Sequence, residues 1–249
     1  MLTLSIVTKT YNRCAFLKEC IDSVQLLKNE PFEKEIKWEH LIYDDGSTDG
    51  TQDFCQNLRY PNVRYLRSEI NEGIARAANK AISMCDSEWI FELDSDDFVP
   101  SRILHNFYNS FLEYSETKWF VMDFYRVDAS GKYEFGQDYY GWRYRAPNSI
   151  LQAIFNGEHF IQHNVIYKKE LWDKVGKYDE SFFMAEDLDL YIRFLLRGEM
   201  PVYLPIISHF HRNHDENISR EVDFEKHKAD LQKLFEKYKP ELRNNRINI

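Results

Sequence analysis

Three carboxylates crowd into four positions of the segment FELDSDDF, at Asp94, Asp96 and Asp97. Unpaired carboxylates this close together repel one another, so the cluster requires a counter-charge. A divalent cation supplies one, and hard oxygen ligands suit Mg²⁺ or Mn²⁺. If only one or two carboxylates hold the ion, its remaining coordination positions are free for a diphosphate. The alternative is a turn whose aspartates cap a helix near Pro100.

A second acidic run, DDGSTDGT, begins with Asp44 and Asp45 directly after an apolar segment. Gly46 permits a tight turn, and Asp49 is predicted to be the N-cap of a helix over residues 49–58. These roles leave Asp44 and Asp45 to accept hydrogen bonds from a nucleobase N–H or from ribose hydroxyls. A plain turn is the alternative.

The segment TKTYNR follows the first apolar run of the chain. Tyr11 offers an aromatic face that can stack on a nucleobase, and Asn12 is predicted to cap the next helix. An ordinary strand-to-helix turn is the alternative.

The elements that must position these residues alternate along the first half of the chain. Apolar runs and helical spacing of apolar residues predict strands and helices in turn, at residues 2–8, 16–24, 40–43, 49–58, 63–66, 74–84 and 89–93. This order predicts an α/β fold with a mostly parallel sheet and helices on both faces. Because such sheets bind ligands outside the carboxyl ends of their strands, we expect the three polar segments to meet in one cleft.

The second half of the chain has a less regular pattern. The turn signal Ala129-Ser130-Gly131 between two extended segments predicts a hairpin. Helices are expected at residues 169–175, 187–196 and 223–238, the last closed by Pro240. Extended segments are expected at residues 201–204 and 206–210.

The bulk composition excludes several classes of protein. The length of 249 residues suits one large α/β domain, with or without a small appendage. The net charge of −9 disfavours a general nucleic-acid binder, which needs a basic face. The N-terminal segment lacks the pattern of a signal peptide, and no run approaches the roughly 20 apolar residues that span a membrane. The cysteines lack CxxC spacing, which predicts buried free thiols at Cys14, Cys20, Cys55 and Cys85.

In their order and spacing, TKTYNR, DDGSTDGT, NEGIARAAN, LDSDD and AEDLDL resemble the motifs of family 2 inverting glycosyltransferases, which have the GT-A fold. The resemblance covers roughly residues 1–220, and the pair DDGSTDGT and LDSDD carries most of its specificity. It implies a Rossmann-like nucleotide-sugar-binding half at residues 1–98 and an acceptor-binding and catalytic half at 99–220. A C-terminal helix and tail would then occupy residues 221–249.

The resemblance also implies roles for the polar residues. Those that would hold the nucleotide-sugar are Thr8, Tyr11, Asp44, Asp45 and Asp94. The metal ligands implied in the family's DxD region are Asp96, the strongest candidate, and Asp97. The sequence departs from the family at Lys9, where proline is usual, and at Ala78, where arginine is usual. Arg76, displaced from that second position, is expected to contact a phosphate or the base.

Inverting transfer is a direct displacement in which the acceptor hydroxyl loses its proton as it attacks. A carboxylate on the acceptor side must therefore act as general base, while the metal neutralises the leaving diphosphate. The segment AEDL resembles the family's ED motif, which implies Asp187 as the base and Glu186 as a residue that orients the acceptor or supports the loop. Alternatively, Glu186, Asp187 and Asp189 only favour a helix N-terminus electrostatically.

The segment SHFHRNHDENIS resembles the family's C-terminal R-x-H…S pattern, in which the histidine reaches the metal or the diphosphate. His214 is predicted to be that residue, with His211 as the alternate, and Arg212 is expected to contact a phosphate. A structural role for these histidines is the alternative.

The aromatic segment GQDYYGWRYRAPN is expected to form an acceptor-side loop. Tyr139, Tyr140 and Trp142 would stack on sugar faces there, and His163 and Asn164 are assigned to the same side. Core packing is the alternative for each of these residues.

The activity implied is transfer of a sugar from a nucleotide-sugar, with UDP as the favoured nucleotide, to an acceptor hydroxyl with Mn²⁺ or Mg²⁺ as cofactor. The acceptor expected is a glycan or a lipid-linked oligosaccharide of bacterial surface polysaccharide synthesis, and no nucleic acid is expected as partner. The expected location is cytoplasmic, with a peripheral membrane contact open through the Lys-rich last helix. One rival, a nucleotidyltransferase, would need a Gly-rich N-terminal loop that the sequence lacks. Another rival, a catalytically silent binding module, would need a lost base or metal motif.

Overall fold

The computed structural model describes residues 1–27, 34–137, 146–157, 161–215, 217 and 224–244. Tyr139, Tyr140 and Trp142, predicted to form the acceptor-side loop, lie outside the described residues. Within the described ranges, no helix is both long and apolar enough to cross a membrane.

Among the residues that the structure describes, seven strands form one sheet in the order β3-β2-β1-β4-β6-β5-β7. The strands are β1 (Leu2–Thr10), β2 (Ile36–Asp44), β3 (Val63–Arg67), β4 (Trp89–Glu92), β5 (Trp119–Asp128), β6 (Val165–Lys168) and β7 (Val202–Asn213). β1 to β4 pair in parallel, β6 runs antiparallel between β4 and β5, and β5 pairs in parallel with β7. The predicted mostly parallel α/β sheet is confirmed, while β6 has no counterpart among the predicted strands.

The helices flank both faces of this sheet. They are α1 (Cys14–Gln25), α2 (Thr51–Gln56), α3 (Ile74–Ser83), α4 (Ile103–Glu113), α5 (Pro147–Phe155), α6 (Lys169–Lys174), α7 (Glu186–Leu196) and α8 (Phe224–Asn244). One apolar cluster contains residues of α3 and α5 to α8, and a second contains residues of α1 and α4. Successive strand residues point to opposite faces, so Ile90 lies in the first cluster and Phe91 in the second.

The strand order places a crevice between β1 and β4. β2 and β3 lie on one side of β1, and the chain then returns to place β4 on the other side. This is the topological switch point at which open α/β sheets bind ligands. The segments at the carboxyl ends of β1, β2 and β4 are TYNR, DDGS and DSDD, and the register sets Thr10 beside Asp44 and Val7 beside Glu92. The expected convergence of the three polar segments follows from this arrangement.

Neither Asp49 nor Asn12 occupies the N-cap position predicted for it. Asp49 still bonds the start of α2, because its Oδ1 accepts the N–H of Thr51, the first residue of that helix, at 3.1 Å. Its Oδ2 accepts the N–H of Cys14, the first residue of α1, at 2.9 Å, and Asn12 accepts the N–H of Thr48 at 2.7 Å. Each side chain thus bonds to the other loop, and the loops after β1 and β2 hold each other at the mouth of the crevice.

The predicted end of the last helix is also wrong, because α8 continues through Pro240 to Asn244. A proline inside a helix costs about 3 kcal/mol. Tyr238 and Leu242, on either side of it, are both buried in the first core cluster. Burying a large apolar side chain contributes roughly 1.5–3 kcal/mol, which offsets the proline. α8 shares its core with α3 and α7, and the division of the chain at residue 220 stays a prediction.

Candidate active site

His163 lies between two of the predicted site carboxylates. Its Nδ1 is 3.1 Å from both oxygens of Asp94, which follows β4, and its Nε2 is 3.5 Å from Oδ2 of Asp187 in the first turn of α7. Burial alone would lower the pKa of His163, but the charges of Asp94 and Asp187 raise it to about 10. The imidazole is therefore a cation at neutral pH, and it neutralises carboxylates from two separate elements.

Glu186 precedes Asp187 and lies in a different environment. Its side chain is 3% exposed, and Oε2 has no hydrogen-bond partner among the described residues. Burial and the charge of Asp187 raise the pKa of Glu186 to about 8. This environment therefore favours the neutral, protonated form of Glu186. Asp187 is 22% exposed at its side chain, and its Oδ1 accepts the N–H of Leu188 at 2.6 Å.

Asp96 and His214 form a second pair of a carboxylate and an imidazole. Nε2 of His214 is 3.0 Å from Oδ2 of Asp96, and the ring centroid lies 4.3 Å from that of Phe16 in α1. The N–H of His214 donates to Oδ1 of Asn217 at 2.5 Å. A carboxylate oxygen and an imidazole nitrogen that face each other fit a Mn²⁺ ion, and two protein ligands leave most of its coordination sphere open.

A third group brings Asp97 together with His209 and His211. Its three ligand atoms lie within 4.8 Å of one another, with Asp97 Oδ2 at 3.5 Å from His209 Nε2 and 3.4 Å from His211 Nδ1. Burial lowers the pKa of His209 to about 3, so this imidazole stays neutral and can act as a ligand. Burial raises the pKa of Asp97 to about 6 although His211 acts against it. The two predicted metal carboxylates therefore face different histidines.

Arg212 fastens the DSDD segment to β7. Its side chain is 2% exposed and donates to the carbonyl oxygens of Asp96 and Ala129 at 2.8 and 2.9 Å, and to the carboxylate of Glu19. Its backbone N–H donates to Asp97 at 2.8 Å. The guanidinium, predicted to contact a phosphate, is thus buried, and each of its three nitrogens already donates to a protein oxygen.

The two carboxylates after β2 hold the surrounding loops. Asp44 accepts the N–H of Ser47 at 2.8 Å and the hydroxyl of Tyr65 at 2.7 Å, with its side chain fully buried. Asp45 accepts the N–H groups of Glu72 and Gly73 at 3.1 and 2.9 Å. Each carboxylate therefore already shapes the loops around the crevice, a role that goes beyond a plain turn.

The other residues predicted to hold the nucleotide lie in contrasting environments. Tyr11 is 44% exposed after the end of β1. Thr8 is fully buried, and its hydroxyl lies 2.9 Å from Nε2 of His40. Arg76 lies on the surface of α3, where it donates to Glu180 at 2.9 Å. Tyr11 and the half-exposed Arg76 are thus both accessible from solvent, whereas Thr8 is not.

Lys9, where the family usually has proline, is buried beside the crevice. Its ammonium lies 2.7 Å from Oε2 of Glu92 on β4, and the other oxygen of Glu92 accepts the hydroxyls of Tyr167, at 2.7 Å, and Tyr178. Burial acts to lower the pKa of Lys9, but Glu92 and Asp94 raise it overall. Lys9 therefore adds a fixed positive charge beneath the carboxylates of the site.

The loop before the Glu186–Asp187 pair is held by α8. Oδ2 of Asp230, a buried residue of α8, accepts the N–H groups of Phe183 and Met184 at 2.7 Å each. Asp189, fully buried one turn into α7, accepts the hydroxyl of Tyr238 at 2.7 Å. Both ends of the ED segment are thus tied to the last helix.

Comparison with known families identifies this arrangement. The model of the family described as glycosyl transferase family 2 matches residues 5–176, which is more than half of the chain. The chain belongs to glycosyl transferase family 2. The resemblance drawn from the DDGSTDGT and LDSDD segments is confirmed, and the match extends over all of the first four strands except the first residues of β1.

Two curated glycosyltransferases illustrate the relationship. Glycosyltransferase GlyG of Streptococcus pneumoniae is 30% identical over 188 residues, which cover 69% of this chain and 58% of GlyG. Poly(ribitol-phosphate) beta-glucosyltransferase of Bacillus spizizenii is 35% identical over 111 residues, 43% of this chain and 17% of that protein. The chain thus spans less than two thirds of the length of either relative.

Solved structures confirm the GT-A fold of this glycosyltransferase. S. aureus TarS 1–349 in complex with UDP-GlcNAc superposes with a TM-score of 0.70 at 20% identity, over 89% of this chain and 61% of that one. The mannosyltransferase PcManGT from Pyrobaculum calidifontis, in complex with GDP-Man and Mn²⁺, gives a TM-score of 0.64 at 16% identity, over 94% and 63% of the two chains. At these identities the likeness establishes the fold.

The glycosyltransferase motifs found in the sequence do not include every residue of the site. The sequence places His163 only on the acceptor side, because its contact with Asp94 joins residues 69 positions apart. It shows Lys9 as a departure from the family without identifying its partner, and Asp230 lies in a helix with no motif. A lysine within an apolar strand indicates a buried acidic partner, so the sequence does predict that Lys9 pairs with a carboxylate such as Glu92.

Proposed function

We propose that this family 2 glycosyltransferase transfers a sugar from a UDP-sugar to a hydroxyl of a bacterial surface glycan or its lipid-linked precursor, with inversion at the anomeric carbon. One observation carries the proposal: Asp94, at the end of β4, and Asp187, at the start of α7, face each other across His163 at the β1–β4 crevice. A direct displacement needs one carboxylate on the donor side and another on the acceptor side. Here a single side chain, that of His163, separates the two.

Asp187 is the proposed general base. It takes the proton from the acceptor hydroxyl as that oxygen attacks the anomeric carbon and the nucleoside diphosphate leaves. Glu186 supports this assignment, because burial and the charge of Asp187 raise its pKa and so favour its neutral form, which does not take up that proton. A protonated Glu186 can donate a hydrogen bond toward the acceptor or the loop, which fits the orienting role predicted for it.

In the proposed donor complex, the ring of Tyr11 stacks on the base at the mouth of the crevice. Asp44 and Asp45 accept hydrogen bonds from the nucleoside through lone pairs that their loop contacts leave over. Thr8 supports the floor of this pocket through His40 rather than by direct contact. A phosphate contact by Arg76 requires it to leave Glu180.

The proposed metal position is between Asp96 and His214, where a carboxylate oxygen and a buried imidazole lie 3.0 Å apart. A Mn²⁺ or Mg²⁺ ion there supplies charge neutralisation for the diphosphate. The imidazole favours Mn²⁺ over Mg²⁺, which prefers oxygen ligands. Asp97 with His209 and His211 is the alternative position, and Arg212 fixes both groups relative to β7.

The nature of the donor and the acceptor is supported by the relatives. UDP-GlcNAc is the ligand in the TarS complex, and a poly(ribitol-phosphate) chain is named as the substrate of the Bacillus relative. The Lys-rich helix adds little support for a membrane contact, because Lys237 pairs with Asp179 and Asp189, and Lys233 donates to Ser181. A peripheral contact at the cytoplasmic face of the membrane therefore rests on the proposed lipid-linked acceptor alone.

A donor screen tests the proposal. UDP-GlcNAc, UDP-glucose, UDP-galactose, GDP-mannose and dTDP-glucose are each incubated with the protein, with and without Mn²⁺, and nucleotide release and thermal stability are measured. A UDP-sugar should raise the melting temperature in a Mn²⁺-dependent manner and release UDP, faster when a poly(ribitol-phosphate) or glycan acceptor is added. Stabilisation by a sugar nucleotide with no turnover on any acceptor would instead favour the silent binding module.

A further inference from the structure

We propose that His163 is a positioning residue for transfer: its imidazole bridges Asp94 and Asp187 and thereby sets the base relative to the bound donor. The inference rests on the proposed function, because it takes Asp187 as the base and Asp94 as a donor contact. It goes beyond that function by assigning a residue that couples the two.

The contacts of His163 use both nitrogens of the ring. Nδ1 faces the two oxygens of Asp94 at 3.1 Å, and Nε2 faces Oδ2 of Asp187 at 3.5 Å. The side chain is 15% exposed, against 33% for Asp94 and 22% for Asp187. The cation is thus the most enclosed member of the group, with a carboxylate on each side of it.

The backbone at His163 is built to aim this ring. Its φ is 53°, a left-handed conformation that is uncommon outside glycine and costs of order 1 kcal/mol or more. The fully buried Asn164 holds the turn, because its Oδ1 accepts the N–H of Gln162 at 2.7 Å and its amide donates to the carbonyl of Met122 on β5. Backbone strain of this kind persists only where the surrounding structure imposes it. At His163 the left-handed backbone orients the imidazole toward the two carboxylates.

The positive charge of His163 explains why the two carboxylates can share the crevice. Without it, Asp94 and Asp187 would face each other with Glu186 nearby, and Asp187 would lose a partner that fixes its Oδ2. The buried ammonium of Lys9 cannot replace it, since Lys9 is paired with Glu92. Loss of the bridge should therefore affect the transfer step more than the binding of the nucleotide.

A double-mutant cycle between His163 and Asp187 tests the bridge. His163→Asn removes the imidazole but keeps a residue that tolerates the left-handed backbone. The cycle uses His163→Asn, Asp187→Asn and the double variant, assayed with UDP-GlcNAc and Mn²⁺ or with the best donor of the screen. His163→Asn should lower kcat by roughly 10- to 100-fold, the effect of a lost charge-assisted hydrogen bond. The KM for the donor and the calorimetric affinity for UDP should change less than about threefold.

The decisive comparison is the double variant. If His163 acts through Asp187, the double variant should be no slower than Asp187→Asn by more than about twofold, because the base that it positions is already gone. Multiplicative effects of the two substitutions would overturn the bridge. Unchanged turnover of Asp187→Asn would instead refute the proposed function, so the two failures are distinguishable.

Two controls separate positioning from folding. Lys177→Asn also introduces asparagine at a left-handed position, with φ 68°. Lys177 is exposed and lies outside the site, so this variant should leave kcat unchanged. If His163→Asn fails to fold by circular dichroism, His163→Gln, which keeps an N–H donor of similar reach, enters the same cycle. Where both variants fold, partial recovery of kcat in His163→Gln relative to His163→Asn supports the bridge, and equal loss contradicts it. Where only His163→Gln folds, its double variant with Asp187→Asn decides by the same comparison.

Discussion

The ion pair between Lys9 and Glu92 makes a quantitative prediction about stability. The side chains are 7% and 1% exposed, so both charges lie outside bulk solvent at a separation of 2.7 Å. Breaking a buried pair by removing one partner typically costs about 3–5 kcal/mol. Glu92 keeps the hydroxyls of Tyr167 and Tyr178, which offset part of that loss. For Lys9→Met we therefore expect the lower end of the range, a loss of about 3 kcal/mol in the free energy of unfolding near pH 7.

The stability difference between the wild type and Lys9→Met should change with pH in a direction that the pKa of Glu92 determines. Burial alone would raise the pKa of Glu92, but Lys9 lowers it below 4.5 in the folded protein. A depressed pKa contributes stability above the unfolded value, and that stability is lost as pH falls through the folded value. In Lys9→Met the ion pair is absent, so burial raises the pKa of Glu92 and the carboxyl group is neutral at a higher pH. The variant therefore loses less stability than the wild type as pH falls. The difference between the two proteins should shrink as pH falls from about 7 to about 4.

Urea unfolding followed by tryptophan fluorescence measures both quantities. The companion variant Lys9→Met/Glu92→Gln keeps an acceptor for the tyrosine hydroxyls and leaves no buried charge. It should recover part of the loss and remain within about 1–2 kcal/mol of the wild type. A single variant within 1 kcal/mol of the wild type near pH 7, or a difference that grows in acid, would refute the reasoning.

Four further predictions concern the site. Asp187→Asn should bind UDP and Mn²⁺ normally while transfer falls by about 10²–10⁴, whereas Asp96→Asn should lose Mn²⁺-dependent UDP binding as well; calorimetry beside a transfer assay separates the two. Exhaustive chelation should abolish UDP release and added Mn²⁺ should restore it; full activity without divalent ions would remove the metal from the scheme. Asp44→Ala should lower the free energy of unfolding by about 1–3 kcal/mol, because it leaves the hydroxyl of Tyr65 unpaired, and an unchanged melting temperature would show that the carboxylate is dispensable to the loop. Burial raises the pKa of Glu186 from 4.5 to about 8, so between those pH values the folded state binds a proton that the unfolded state has lost, and stability falls as pH rises. Thermal melts should therefore show Glu186→Gln gaining stability over the wild type across that pH range.

Elements with a strong apolar period could be predicted from the sequence. The predicted strand over residues 63–66 is observed as Val63–Arg67, and the predicted helix over 74–84 as Ile74–Ser83. Elements decided by distant contacts could not be predicted. β6 has four residues and gains its pairing from β4 and β5, while α8 passes Pro240 because Leu242 is buried against the core.

The candidate site divides in the same way. The carboxylate clusters could be found because they are local in sequence and follow strands. Their partners could not, since His209 joins Asp97 across 112 positions and Asp230 joins Phe183 across 47. The bonds of Asp44 to Ser47 and Tyr65 could not be predicted either, because a strand-end aspartate has the same sequence signature whether it binds a ligand or a loop.

The hold of α8 on the loop before Asp187 has a consequence for the growing chain. β1 to β4 leave the ribosome long before Asp230, so they can pair while Phe183 and Met184 still lack the carboxylate that fixes them. A nascent chain interrupted between His214 and α8 would carry the proposed donor and metal residues, but the loop before the proposed base would not yet be anchored. If the proposed function holds, stalled chains of that length should bind UDP before longer chains acquire transfer activity.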